Sequence, residues 1–577
     1  MTEGSGRRPV LFLAAAGAFA AATVALFAVS RGKWSDALVD SGREWIVPDA
    51  LASGDLLYRD VVYWFGPFTP YFHASFFALL GSSFRTLVIA GVVGSLGALA
   101  ALNFALRGVA GRCEAALWTA LAVPALVFMP NGGGSILGMG YRMWHAAAFA
   151  LLAVAAISRP RPARAAAVAG VLSAVAGLCR TEWGIAALLS CAVVVTVRPG
   201  FDAAALRNLV LMGATAVLAF GGVLGSFVLV AGADAVLRDG PVLLLGLPEE
   251  TRANVALAGV RGWRSGLVPL LYSFLMWLGV VLTVEVVARR GDDPKKVRRR
   301  VTRLLGILAV LAVVALVGGG SGAVTFAAAP VVCFAALVAG LRRRTSPEGP
   351  PLAGFGLLGL LLSHRAFFHV SDGPYVAPPL LFAFVCAAGL LRIFATRAPE
   401  AASSRGLRTG LLATVAGLAC FAFAGRFLHY ASDERVPVPG TEGMLSARAE
   451  TAREIVALAS VIREETREGD GLVVLPEGEI LNYLSGRRNP IRHKLYLPGY
   501  VRDANEPDIL REFGQEKPTA VVIWNRPTGE YGRGNLGSDY GRTIARWIDI
   551  HYIPLSSPIG AVGGRPAGRI FRTYRRK

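Results

Sequence analysis

Asp40 and Glu44 are four residues apart in Asp40-Ser-Gly-Arg43-Glu44, a spacing that places both carboxylates on one face of a helix. Two acids held together can divide into a general base and a partner tuned by a neighbouring guanidinium, here Arg43 or Arg59. The same spacing also serves as ordinary helix-pairing charge in a solvated loop. The stretch continues as Gly54-Asp-Leu-Leu-Tyr58-Arg59-Asp60 and Tyr63-Trp-Phe-Gly-Pro67. Another acid, Glu182, sits in Gly177-Leu-Cys-Arg180-Thr-Glu182-Trp-Gly184 between two apolar runs. An ionisable group there must be paired or wet, and Arg180 is a ready partner within a tight turn. In the cluster from Ser363 to Pro379, Arg365 can grip phosphate oxygens bidentately, and His369 and Tyr375 can add hydrogen bonds. Aromatic and Arg anchoring at the headgroup level accounts for the same residues. Arg142, Trp144 and His145, behind a Gly-rich loop, read as packing residues.

These groups are carried by a chain of 577 residues, 54% of them apolar, beyond what a soluble globular chain holds. Charge-free runs at 10–30, 86–106, 209–231 and 266–284 reach the ~20 residues that a bilayer crossing needs. Backbone polar groups cannot go unpaired in hydrocarbon, so each crossing must be a helix. With 67–82 as an interfacial or re-entrant segment, about thirteen crossings result. They fall at 9–30, 86–106, 113–129, 144–158, 165–179, 184–197, 209–231, 266–288, 304–319, 323–341, 351–363, 375–391 and 409–428.

With the N-terminus inside, every inner loop is basic: Arg7 and Arg8, Arg107 and Arg112, Arg159 to Arg164, Arg198 and Arg207, then 289–303, 342–344 and 392–408. The net charge of +20 therefore reads as a topology signal. No basic-aromatic platform suggests nucleic acid. The six cysteines lie in or beside apolar runs and form neither a disulfide framework nor a zinc pattern. The first apolar run is longer than the core of a signal peptide and reads as a retained crossing. An odd count gathers 31–66, 130–143, 180–184, 231–265 and 364–375 on the outer face, with His73, His145, His364, His369 and His429 on or near it.

The expected architecture is a polytopic α-helical membrane domain, 1–430, and an extracytoplasmic soluble α/β domain, 431–577. Residues 430–443 read as a linker, 446–467 as a helix, and 471–475 and 519–524 as short buried strands. Strands alternating with helices give the α/β class. Lacking G-x-G-x-x-G, a P-loop or a nucleophile elbow, this domain is not expected to catalyse. Arg487, Arg488, Arg492, His493 and Lys494 read as a surface run, either drawing an anionic acceptor or headgroups or simply solvated.

The acid after the first crossing and the pattern G…LYRD…Y…GP…PY resemble the GT-C superfamily of integral membrane glycosyltransferases. Within it, the pattern is most similar to the branch of protein O-mannosyltransferases, aminoarabinose transferases and RgtA/B/C/D-like proteins. The resemblance implies transfer of a sugar from a polyprenyl-phosphate carrier to a lipid, glycan or protein acceptor. It further implies the non-cytoplasmic face of a membrane, here a bacterial inner membrane. Asp40 matches the family's first-loop acid, the general base. Tyr58, Arg59, Asp60 and Gly66-Pro67 match the segment that follows, implying substrate positioning there and by Arg43. Arg365 to Pro379 resembles a late basic-aromatic loop, implying contact of Arg365, His369 and Tyr375 with the carrier phosphate. Many relatives have adjacent Asp and Glu, whereas Ser41 follows Asp40 here and Glu44 or Glu182 must assist. No W-W-D motif is present, so neither a metal nor a cofactor beyond the donor is implied.

An O-antigen ligase or polymerase would favour a large outer loop rich in Arg and His. A transporter or flippase would favour internal repeats and mid-membrane charge. A non-catalytic scaffold would leave Asp40 dispensable. The loop charges predict that reporter fusions at Pro294 and Ser346 are cytoplasmic, while fusions at Asp49, Leu247 and the C-terminus are not. A cytoplasmic C-terminal fusion would break the odd count.

Overall fold

Apolar runs that cannot leave backbone groups unpaired fold as helices throughout. The computed structural model describes residues 7–129, 141–159, 162–241, 321–363, 380–397, 401–555 and 571–577. Helices α1 (Arg7–Ser30), α2 (Ser41–Ala52), α3 (Phe68–Leu80) and α4 (Phe84–Val109) come first. Then follow α5 (Arg112–Ala122), which ends in a π-helical turn at Val123–Val127, α6 (Tyr141–Ile157), α7 (Pro162–Cys179) and α8 (Thr181–Val197). Next are α9 (Ala203–Ala231), α10 (Ala233–Asp239), α11 (Ser321–Arg342), α12 (Gly349–Leu362), α13 (Leu380–Arg397) and α14 (Ala401–Ala431). The expected spans 266–288 and 304–319 lie outside the described residues. Residues 375–379 of the expected span 375–391 also lie outside them, and every other expected span overlaps one of these helices.

Among the described residues, three helices are long and apolar enough to cross a membrane: α4, α7 and α9. Shorter apolar helices pack beside them. On α9, Val217, Leu218 and Leu229 are 71%, 72% and 88% exposed, a surface suited to lipid rather than water. Local chemistry sets the helix starts. The Ser83 hydroxyl accepts the N–H of Thr86 at the head of α4, and Asp202 accepts that of Ala205 at the head of α9. The 13-residue α3 is about 20 Å long at 1.5 Å per residue, short of a ~30 Å hydrocarbon core. It lies against α2, α4, α6 and α7.

After α14 the chain forms a two-stranded ribbon, β1 (Val436–Pro437) with β2 (Ser446–Ala447), and then helix α15 (Ala449–Glu465). A four-stranded sheet follows, made of β3 (Leu472–Leu475), β4 (Ala520–Trp524), β5 (Tyr552–Pro554) and β6 (Phe571–Arg576). Its order is β3-β4-β6-β5, with β3 parallel to β4 and β6 antiparallel to both neighbours. Helices α16 (Ile480–Ser485), α17 (Glu506–Glu516) and α18 (Arg542–His551) complete the α/β unit. The expected strands and first helix are all present.

This domain is not held off on a linker. Trp45, Leu57 and Tyr58 of the first outer segment share one buried core with Ile455, Leu458, Ile480 and Trp524. Trp64 stacks on Tyr500 with ring centroids 3.6 Å apart. The stretch expected to be a linker is tied down as well, because Arg435 donates to the carbonyl oxygens of Lys33 and Ser35. The expected surface run is also partly buried, which corrects that reading. Arg492 donates to the carbonyls of Tyr58 at 2.9 Å and Arg59 at 2.5 Å, and pairs with Asp239 at 3.0 Å. Lys494 is 4% exposed, gives its ammonium to the carbonyls of Asn489 and Ile491, and is pushed down to about 8 by burial. These cations bind backbone oxygens and carboxylates of the protein itself. Arg492→Ala removes three charge-assisted bonds across the junction. The expected loss is roughly 2–3 kcal/mol of stability, read as a lower Tm in detergent.

Candidate active site in the first outer segment

Beyond α1, Asp36 accepts the N–H groups of Leu38 (2.8 Å) and Val39 (3.0 Å), folding the chain back on itself. Asp40 then adopts φ 69° and ψ −41°, and the N–H of Ser41 donates to the carbonyl of Val39 at 2.9 Å. This is a γ-turn with positive φ, a rare and strained form centred on the candidate base. α2 starts directly after it, so Arg43 and Glu44 occupy its first turn.

The two acids do not act as one pair. Asp40 forms an ion pair with Arg43, whereas Glu44 reaches across to Arg142 of α6 at 2.6 Å. The Asp40 side chain is 38% exposed and that of Glu44 only 5%, so Asp40 is the acid that solvent or a substrate can reach. Burial works against the charge of Arg43, but Asp40, Glu44 and Glu477 surround it and hold its pKa well above the usual value. A narrow pocket opens beside these groups, lined by Arg43, Glu44, Val47, Pro48, Tyr63, Thr69, Pro70, His73 and Arg142.

Phe65 forms the far wall of the network. The Arg142 guanidinium lies 4.1 Å from its ring centroid and that of Arg180 lies 5.3 Å away. Arg180 pairs with Glu182 at 2.5 Å across the turn between α7 and α8, and the Glu182 side chain is 41% exposed. Glu182 is thus linked to the Asp40 region through Phe65 and the two guanidinium groups. Tyr58 is buried and donates its hydroxyl to the carbonyl of Phe65 at 2.8 Å, which fixes that wall. Arg59 and Asp60 pair at 2.7 Å on the outside of the loop, and Asp60 accepts the N–H of Leu56 at 2.8 Å. The hydrogen bond from Arg59 lowers the pKa of Asp60. Of the expected positioning residues, only Arg43 lines the pocket. Arg365, His369 and Tyr375 lie outside the described residues.

Sequence reasoning missed three participants. Arg142 read as packing, yet it is the counter-ion of Glu44. Glu477 and Glu479 come from the C-terminal domain, where no catalytic motif stands. Glu477 is buried, forms an ion pair with Arg526, and its Oε2 accepts the N–H of Asp40 at 3.4 Å. A signal for them existed: Pro476-Glu-Gly-Glu479 directly follows the buried strand β3, at the carboxyl end of a parallel strand, where α/β sheets present functional groups.

No protein-family model matches the chain, and no curated protein matches it. Solved structures do. The helical bundle, the long segment after α1 and the terminal α/β unit together share their fold with a solved structure. The similarity that shows this is to ArnT from Cupriavidus metallidurans in the apo state, with a TM-score of 0.50 at 14% identity over 98% of this chain and 97% of that one. ArnT bound to undecaprenyl phosphate aligns with a TM-score of 0.43 at 14% identity, over 97% of each chain. The apo oligosaccharyltransferase of Archaeoglobus fulgidus aligns at 0.47 and 14% identity, over 87% of this chain and 69% of that one.

Glu479 supplies a pH-dependent test of the domain junction. It is buried, and burial, followed by the nearby Glu477 charge, pushes its carboxyl up to about 8 from 4.5. Its folded pKa lies above its unfolded one, so the stability it contributes is complete below about pH 4.5 and lost as pH rises through about 8. Glu479→Gln cannot ionise. It is expected to flatten this decline and raise Tm at pH 8 by roughly 4 °C or more, measured by thermal unfolding across pH.

Proposed function

We propose that this chain is a membrane glycosyltransferase. In this reading it transfers a sugar from a polyprenyl-phosphate donor to a lipid, glycan or protein acceptor at the extracytoplasmic face of a bacterial inner membrane. The observation that carries the reading is the solvent-accessible Asp40 carboxylate, clamped by Arg43, which itself lines a small pocket together with the buried Glu44–Arg142 pair. The shared fold and the first-loop resemblance to the GT-C superfamily support it.

Asp40 accepts the proton of the acceptor hydroxyl as that oxygen attacks the anomeric carbon. The bond from that carbon to the phosphate oxygen breaks on the opposite face, and the carrier phosphate leaves with the electron pair. Direct attack of this kind inverts the anomeric centre. Charge gathering on the departing phosphate is met by guanidinium groups, and the sequence nominates Arg365, with His369 and Tyr375, for that contact. Clefts between the apolar helices suit a long polyprenyl tail. Positive charge is supplied by Arg side chains, so no metal enters this scheme.

Asp40→Asn keeps shape and hydrogen bonding but removes the base. Turnover in membranes supplied with a polyprenyl-phosphate sugar is expected to fall roughly 10²–10⁴-fold, while protein level and carrier binding persist. Glu182→Gln is expected to lose less, and Arg365→Ala to weaken donor binding as well as turnover. Near-normal transfer by Asp40→Asn would sink the mechanism.

A further inference from the structure

We propose that the C-terminal domain supplies a positioning residue to this site: Glu477, which holds the strained turn at Asp40 and so sets the position of the Asp40–Arg43 pair. The inference rests on the reading of Asp40 as the base and gives the domain a role in the reaction.

The turn at Asp40 is unfavourable for a residue with a side chain, and such a conformation persists only where its surroundings over-determine it. Within the first segment it is held by the Ser41 to Val39 hydrogen bond and by the Glu44 N–H donating to the Asp40 carbonyl at 3.1 Å. The Asp40 side chain makes no capping bond to α2 and is left for Arg43. The remaining backbone donor, the Asp40 N–H, points at Glu477 Oε2, and this long 3.4 Å contact spans 437 residues of sequence.

Glu477 is itself immobilised. Its carboxylate is paired with Arg526, and its carbonyl accepts the indole N–H of Trp524 at 2.5 Å. The charged and titratable groups facing it are Arg526, Asp40, Arg43 and Glu479. α2 is pressed against the same turn. A Cβ on Gly42 would lie 2.6 Å from the N of Ile480 and 2.8 Å from the backbone of Glu479, so a side chain there would drive the two apart. The grip therefore has no slack, and displacement of a reacting group by about 1 Å can cost on the order of 10² in rate.

The test measures transfer from a polyprenyl-phosphate sugar in membranes, with kcat and carrier KM separated. Glu477→Ala is expected to lower kcat roughly 10–100-fold with KM within about twofold. Glu477→Gln keeps an oxygen for the Asp40 N–H but gives up the charge that answers Arg526, so it is expected to recover part of the kcat lost in Glu477→Ala. In an Asp40→Asn background, Glu477→Ala should cause no further loss, because the group it positions is gone. If the Ala variant does not accumulate, Glu477→Asp carries the same test, keeping the charge but falling one methylene short of the Asp40 N–H. Wild-type kcat for Glu477→Ala alongside an impaired Asp40→Asn would overturn the positioning role alone. Equal losses for Gln and Ala, or multiplicative loss in the double variant, would overturn it in favour of a structural role. Full activity of Asp40→Asn would remove the underlying reading and this inference with it.

Discussion

Two guanidinium groups, the buried Arg142 and the half-buried Arg43, sit at one end of the helical bundle, each against a carboxylate. For the buried Arg142–Glu44 pair, removing one member leaves an uncompensated charge at a cost of about 3–5 kcal/mol, far more than a surface ion pair is worth. That requirement organises the region. Glu44 must face α6 to meet Arg142, which fixes the rotation of α2. With α2 fixed, Arg43 falls beside Asp40, and Asp40 must close the preceding turn in a conformation few residues accept. Phe65 then lies against Arg142 and Arg180, carrying the network to the turn between α7 and α8.

Much of this was legible in sequence because membranes simplify the code. Apolar length marks helices, and the described helices overlap the expected spans, with ends that differ by up to eight residues. Strands β3 and β4 were equally plain, each an unbroken apolar run bounded by turn residues. The acids of the first outer segment stood out because charge is scarce in such a chain. Their pairing did not. Four-residue spacing suggested a joint Asp40–Glu44 site, but the helix begins only after Asp40, whose positive φ turns its carboxylate toward Arg43. Spacing rules hold within a helix and fail at its first residue.

The other omissions share one cause, contacts between residues hundreds of positions apart. Arg142 is 98 residues from Glu44, and Glu477 is 437 from Asp40. Nothing local distinguishes Arg492, which fastens the domains, from Arg487, which bonds to Thr466 within its own domain. The strands and first helix expected after 430 are present. The shared core was not legible, because Trp45, Leu57 and Tyr58 belong to the same cluster as Ile455 and Trp524.

That shared core imposes a schedule on biosynthesis. The segment holding Tyr58 leaves the ribosome 434 residues ahead of Arg492, its anchor. At ~5–20 residues per second the interval is roughly 20–90 s. Throughout it the apolar side chains of the first segment have no lid, although the helices around them can already be assembled. The nascent chain thus carries an unfinished half-core at the membrane surface until its last quarter arrives. A ribosome that stalls late leaves behind a bundle whose first segment has never had the partner that shapes it.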